Sequence, residues 1–314
     1  MKLHTDLKFF GDSIRATSQH MNINEEFIEK DYWITFVLSN LAKSEYASQI
    51  VFKGGTSLSK GFGLIERFSE DVDIAIIDAD KKSGNEIKTI IRIIEKEMTK
   101  DMKELTVDGI TSKGSRFRKS VFEYLSIDAK NLNNRLIVEV NSFSNPHPFK
   151  RVVIKSFVFD FFKNTGNDKY IERYNLQPFE INVLNKEQTM LEKTVSLIRF
   201  SFDENVSESI SKKIRHFYDL YFLTNDDECI SFMKSSDFTE QFYKILSHDR
   251  DIFDEPIGWK EQLVTESPLI KDFEKIWKQL NDIYKSELSA LAYTPIPDER
   301  KVAEQFNKLI KLIQ

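Results

Sequence analysis

The chain has 314 residues, 40% of them hydrophobic and 12% aromatic, enough to bury a sizeable core arranged as one large or two modest domains. A formal net charge of −5 gives no global basic excess, so a nucleic-acid partner would have to meet a local basic patch. The single cysteine, Cys229, excludes an intramolecular disulfide framework and a cysteine-based zinc cluster, no stretch approaches the ~18 apolar residues of a membrane span, and the start MKLHTDLKFFGDSIRATS lacks a signal-peptide core. A soluble, cytoplasmic protein with no membrane partner is expected.

From Glu25 to Leu41, the residues Phe27, Ile28, Trp33, Ile34, Val37, Leu38 and Leu41 recur at helical spacing and predict a core-facing helix. The stretch VFKGGTSLSKGFGLIERFSEDVDIAI follows, at 51 to 76. Ile50, Val51 and Phe52 read as a strand end, Gly54 and Gly55 permit a tight turn, and Thr56 or Ser57 can cap a short helix through Leu64. A strand, two glycines and a helix start make a seat for phosphate, with backbone N–H groups pointing at the ligand. A purely structural turn is the alternative. A P-loop is rejected on spacing, because G-x-x-x-x-G-K-[ST] needs glycine at 59 and Ser or Thr at 61, where the chain has Ser59 and Gly61.

In Asp71-Val72-Asp73-Ile74-Ala75-Ile76 a period of two puts Asp71 and Asp73 on one strand face, with Val72, Ile74 and Ile76 turned to a core. Two neighbouring anions repel, so the pair belongs either at a solvated strand end or beside cations. Mg²⁺ takes one or two carboxylates plus substrate phosphates, which fits a carboxylate pair next to a phosphate seat. A second amphipathic helix is predicted over Asn85 to Met98, on Ile87, Ile90, Ile91, Ile94 and Met98.

Strands are then predicted over Ser120 to Ile127, Arg135 to Ser142, Val152 to Phe162 and Phe179 to Leu184, all rich in β-branched and aromatic residues. Asn185 with Gln188 reads as a capping box opening a helix through Arg199, and further helices are expected over Ile270 to Leu291 and Val302 to Ile313. The fold class expected is α+β: residues 1–184 form a mixed sheet with flanking helices, and residues 185–314 form a helical domain. The five histidines show no ligand spacing, and no Gly-x-Ser-x-Gly elbow is present.

Gly54-Gly55-Thr56-Ser57, followed by Arg67-Phe68-Ser69-Glu70-Asp71-Val72-Asp73, resembles the signature of DNA polymerase β-type nucleotidyltransferases, and more narrowly that of the AbiEii/AbiGii toxin family, which includes the MenT toxins. Glu29-Lys30-Asp31-Tyr32-Trp33, Glu192-Lys193 and Arg215-His216-Phe217-Tyr218-Asp219-Leu220-Tyr221 extend the resemblance over most of residues 25 to 225. It implies a polymerase β-type core and a Mg²⁺-dependent transfer of nucleotide from an NTP to an acceptor hydroxyl, with the tRNA 3′ end as acceptor and a separate antitoxin as partner. The helical domain would contribute to the active site. On this resemblance Gly54, Gly55, Thr56 and Ser57 cradle the triphosphate with Ser69 nearby, and Asp71 and Asp73 ligate Mg²⁺. Lys193 neutralises the phosphates, Asp219 is the late aspartate, and Arg215 is a phosphate or nucleotide contact. Glu139 is the candidate third carboxylate, although the chain has Glu where polymerases have Asp.

Each assignment has a plainer alternative: Lys193 as a solvated helix lysine, Asp219 as a surface charge paired with Arg215 at i, i+4, and Glu139 as an edge-strand glutamate. Residues 111–119, with Arg116, Arg118 and Lys119 around Phe117, form the best basic patch for an RNA backbone and a stacked base, or else a solvated hairpin loop. Transfer to a small molecule or protein side chain, and a nucleotide- or partner-binding module without turnover, are the other function classes.

Overall fold

The computed structural model describes residues 1–69, 71–128 and 134–314, so Glu70 of the motif above lies outside the described residues. Two compact units are present: residues 1–63 with 68–184, and residues 64–67 with 185–314. Among the described residues, no helix is long and apolar enough to cross a membrane.

The first unit is built on a mixed sheet of β1 (Ile50–Lys53), β2 (Asp71–Ile76), β3 (Lys103–Leu105), β4 (Ser112–Lys113), β5 (Phe117–Glu123), β6 (Arg135–Asn141), β7 (Phe149–Ile154) and β8 (Phe179–Leu184). The order is β3-β5-β6-β2-β1-β8-β7, with β4 on β5. β2 runs parallel to β6 and β1 parallel to β8, while the other pairs are antiparallel. Its helices are α1 (Leu7–Met21), α2 (Glu25–Ala42), α3 (Gly54–Lys60), α4 (Gly84–Thr99), α5 (Phe157–Asn164) and α6 (Asp168–Tyr174). Val72, Ile74 and Ile76 are buried, as are Ile87, Ile91 and Ile94 of α4, which packs on β5 and β6. Period two in the strand and period 3.6 in the helix thus meet in one core. α4 starts at a capping box that the sequence reading missed: Glu86 N–H donates to Ser83 Oγ at 3.3 Å and Ser83 N–H to Glu86 Oε2 at 2.7 Å.

Two expectations need correction here. Val152 to Phe162 is not one strand: β7 ends at Ile154, and Ser156 caps α5 by accepting the Phe159 N–H at 3.1 Å. Glu139 is not on an edge, because β6 lies between β5 and β2.

The second unit is helical, with α7 (Lys186–Phe200), α8 (Val206–Ser211), α9 (Ile214–Leu223), α10 (Asp227–Met233), α11 (Asp237–Ile252), α12 (Pro268–Lys271), α13 (Phe273–Leu291) and α14 (Glu299–Ile310). Asn185 is the N-cap of α7, but its side chain makes no capping bond, so the expected box with Gln188 does not form. An aromatic core joins α9, α13 and α14: Phe217 and Phe273 lie 4.8 and 4.7 Å from Phe306, centroid to centroid, and Trp277 lies 5.1 Å from Phe217.

Candidate active site

Within the sheet unit, strand register builds a row of charges. Lys53 on β1 is opposite Asp73 on β2, Asp73 is opposite Glu139 on β6, and Glu139 is opposite Lys119 on β5. Directly opposed residues share a sheet face, so two carboxylates stand side by side with a lysine at each end. Asp71 is two residues before Asp73 on the same face. Partial burial, then Glu139 and Asp71, push Asp73 up to about 8, against the pull of Lys53 and Lys119. Burial likewise raises Glu139, opposed by Lys119, whose ammonium is 3.6 Å away, and reinforced by Asp71. This face concentrates more negative charge than the two lysines relieve.

The glycine turn is fitted to that row. Gly54 has φ +80°, and a Cβ there would lie 2.1 Å from Asp73 Oδ2. Only glycine meets both the left-handed backbone and the close approach. α3 begins at Gly54 itself with Lys53 as N-cap, and neither hydroxyl caps it: Thr56 Oγ1 donates to the Asp71 carbonyl and Ser57 Oγ to the Gly54 carbonyl at 2.8 Å. The hydroxyls therefore tie the turn to β2 and to itself, and Gly55 follows as the second helical residue. Ser69 is buried just before β2. At its far end α3 is clamped, since Lys60 Nζ lies 2.5 Å from buried Asp31 Oδ1, whose Oδ2 accepts the Phe157 N–H at 2.8 Å.

Among the described residues, no three His, Cys, Asp or Glu side chains are gathered into a ready metal shell. What is present is a set of hard oxygen donors, with a half-buried like-charge repulsion that a cation would relieve. That donor set fits Mg²⁺, which completes its octahedron with water and phosphate oxygens.

The 111–119 segment is not a free basic face. Arg118 points to the α4 side, where Nε and a terminal nitrogen lie 2.8 and 2.6 Å from Glu95 Oε2, and Lys119 belongs to the carboxylate row. Arg116 is exposed.

Within the helical unit, Lys193 and Asp219 are brought together, and both plainer alternatives for them fail. Lys193 is buried, with Nζ 2.8 Å from Asp219 Oδ2. Asp219 is fully buried and pairs with Arg67 rather than Arg215: Arg67 Nε donates to Oδ1 at 2.7 Å and its terminal nitrogen to Oδ2 at 2.6 Å. Burial alone would raise Asp219, but Arg67 and Lys193 outweigh it and hold the carboxyl well below the usual carboxylate range. Arg215 is half-buried on α9. Lys53 and Arg67 are the members the sequence reading did not single out. Lys53 directly precedes the glycine pair and Arg67 opens the Arg67–Asp73 stretch of the motif, positions that could have marked both, although the 152 residues between Arg67 and Asp219 hid their pairing.

The model of the nucleotidyl transferase AbiEii toxin family, described as a type IV toxin–antitoxin system, matches residues 37–306. Among solved structures, the chain is similar to MenT4, nucleotidyltransferase toxin Rv2826c from Mycobacterium tuberculosis H37Rv, at 16% identity over 91% of this chain and 95% of that one, with a TM-score of 0.42. No curated protein matches the chain significantly.

Proposed function

The chain belongs to the AbiEii nucleotidyl transferase toxin family, and on that premise we propose that it moves a nucleoside monophosphate from an NTP to a hydroxyl at the 3′ end of tRNA, with Mg²⁺ held by Asp71, Asp73 and Glu139. Nucleotidyl transfer and toxin character come with the family. Acceptor, metal and biological setting are the proposal. The observation that carries it is the carboxylate row with Gly54 packed against Asp73, because a fold seldom keeps adjacent half-buried carboxylates without a cation to hold.

In the reaction the acceptor oxygen forms a bond to the α-phosphorus and the bond from that phosphorus to the bridging oxygen breaks. Pyrophosphate leaves, and the hydroxyl proton passes to solvent. Bound Mg²⁺ would supply Lewis-acid polarisation and charge neutralisation. Asp71, Asp73 and Glu139 would hold it beside the Gly54–Ser57 turn, and Lys193 is the compact cation that the family pattern assigns to the phosphate charge. Most of the catalysis is then positioning and electrostatics. An antitoxin protein restrains the enzyme in a toxin–antitoxin or phage-defence setting.

The test is incubation of the pure protein with each α-labelled NTP and total RNA, with and without Mg²⁺. Label on tRNA only with Mg²⁺ is the expected result. Label on protein or on a small product would move the acceptor to the alternative class, and NTP binding with no transfer under any condition would reject the reading.

A further inference from the structure

Two neighbouring basic residues of β5 are held in contrasting ways. Arg118 is locked: its guanidinium lies 2.8 and 2.6 Å from Glu95 Oε2, Ser120 Oγ donates to the other carboxylate oxygen, and the two charged side chains are 13% and 8% exposed. Lys119, on the opposite face, is loosely engaged. Its ammonium is 3.6 Å from Glu139 Oε2, beyond the roughly 2.7–2.9 Å of a charge-assisted hydrogen bond, and these side chains remain 29% and 22% exposed.

Strand register fixes where this lysine stands. Lys119 is opposite Glu139 across β5 and β6, and Glu139 is opposite Asp73 across β6 and β2, so the lysine flanks the carboxylate row on the side away from β1 and its glycine turn. Its charge acts on Asp73 as well as on Glu139. A cation in that place relieves the repulsion between the carboxylates, and it opposes a second cation entering the row, because like charges a few ångströms apart repel even in water. The lysine and a metal ion therefore compete. A long ion pair reached by water yields its carboxylate at little cost, whereas a buried, hydrogen-bonded pair such as Arg118–Glu95 would not.

We propose that Lys119 is a positioning residue that stands in for the metal: it holds Glu139 in the metal-free protein, keeps the bare ion weakly bound, and surrenders the carboxylate when Mg²⁺ binds. The proposal rests on the reading of the row as the Mg²⁺ site.

The test is binding of Mn²⁺, a hard cation of similar ligand preference, followed by loss of the free-ion EPR signal in the full-length protein without nucleotide. Lys119→Met keeps an apolar stem and removes the charge, and it should bind Mn²⁺ about tenfold tighter than wild type. Lys119→Arg keeps the charge and should stay within about threefold. In a Glu139→Gln background the gain from Lys119→Met should shrink to less than about threefold, because the carboxylate that the lysine holds is gone. Arg116→Met alters net charge equally from an exposed position and should shift affinity less than about twofold. A merely structural lysine would give no tightening. Unchanged or weaker Mn²⁺ binding in folded Lys119→Met would overturn the proposal, as would an equal gain in Arg116→Met or an undiminished gain beside Glu139→Gln. Lys119→Gln carries the same expectation should Lys119→Met fail to fold, and failure of both to fold counts against the proposal by making the lysine a structural pin. Asp73→Asn tests the underlying reading separately: Mn²⁺ affinity equal to wild type in that variant would reject the metal site whatever the Lys119 variants show.

Discussion

Replacing Gly54 by alanine separates the backbone demand of the turn from the space that Asp73 occupies. Gly54 has φ +80°, and an added Cβ would lie 2.1 Å from Asp73 Oδ2 and 3.0 Å from its Cγ. Gly63 is the matched control, with φ +59° and nothing within 4 Å of a Cβ. The left-handed conformation costs an L-residue about 1–2 kcal/mol, so Gly54→Ala and Gly63→Ala should each lose about that much stability. Only Gly54→Ala must also move a carboxylate. Ordinary contact begins at 3.4 Å, so Oδ2 has to retreat. The shift needed is on the order of 1 Å, which in a reacting constellation costs about 10²-fold in rate. The obstructing atom is the tip of a side chain, so the extra loss of stability is small. Urea unfolding and transfer of α-labelled nucleotide at saturating NTP read the two effects. Similar unfolding free energies, with turnover down about 10²-fold in Gly54→Ala and near wild type in Gly63→Ala, are expected. Wild-type turnover in Gly54→Ala, or equal falls in both variants, would refute the link between the turn and Asp73.

Three further outcomes follow from buried charge. Asp31→Ala leaves Lys60 without the partner that clamps the end of α3 and should cost about 3–5 kcal/mol in urea unfolding; a loss below about 1 kcal/mol would mean the clamp does not hold the helix. Arg118→Ala leaves Glu95 without its guanidinium and should cost about 2–3 kcal/mol while RNA affinity is unchanged, and the opposite pattern would return Arg118 to the RNA patch. His4 is buried with Nδ1 2.8 Å from the Tyr32 hydroxyl, and burial lowers its pKa to about 4. Because the folded value lies below the unfolded value of about 6.5, the stability that His4 contributes is present above pH 6.5 and lost as pH falls toward 4. The loss is on the order of 3 kcal/mol. His4→Gln should flatten that part of the pH–stability curve, and an unchanged slope would show that His4 does not enter the core neutral.

The readable parts of the sequence were those governed by short-range periodicity. Phe179 to Leu184 was read to the residue, and Asp71–Ile76 was read with its faces in the right sense, because alternation and buried apolar neighbours leave one register that works. Val152 to Phe162 misled because Val and Phe serve either element, and the deciding signal was one cap: Ser156 turns the chain into α5. The site divides the same way. Asp71 and Asp73 share a face by local spacing alone, whereas the Lys53-Asp73-Glu139-Lys119 row depends on how four strands are ordered. Arg118 and Lys119 read as one patch in sequence, yet neighbours on a strand point to opposite faces, and each found a different glutamate. Asp219 seemed matched to Arg215 by helix spacing, but full burial demanded a bidentate partner that only the tertiary fold could bring.

The most direct test of the central claim, that the Asp71–Asp73 face is the catalytic carboxylate pair, is α-phosphate transfer by Asp71→Asn and Asp73→Asn alongside wild type across a Mg²⁺ titration, with melting followed in the same samples. Both variants are expected to fold with melting temperatures no lower than wild type, because a half-buried repulsion has been removed. They are also expected to release no pyrophosphate and transfer no label at any Mg²⁺ concentration. Folded variants that both transfer label at the wild-type rate, with the wild-type dependence on Mg²⁺, would contradict the account.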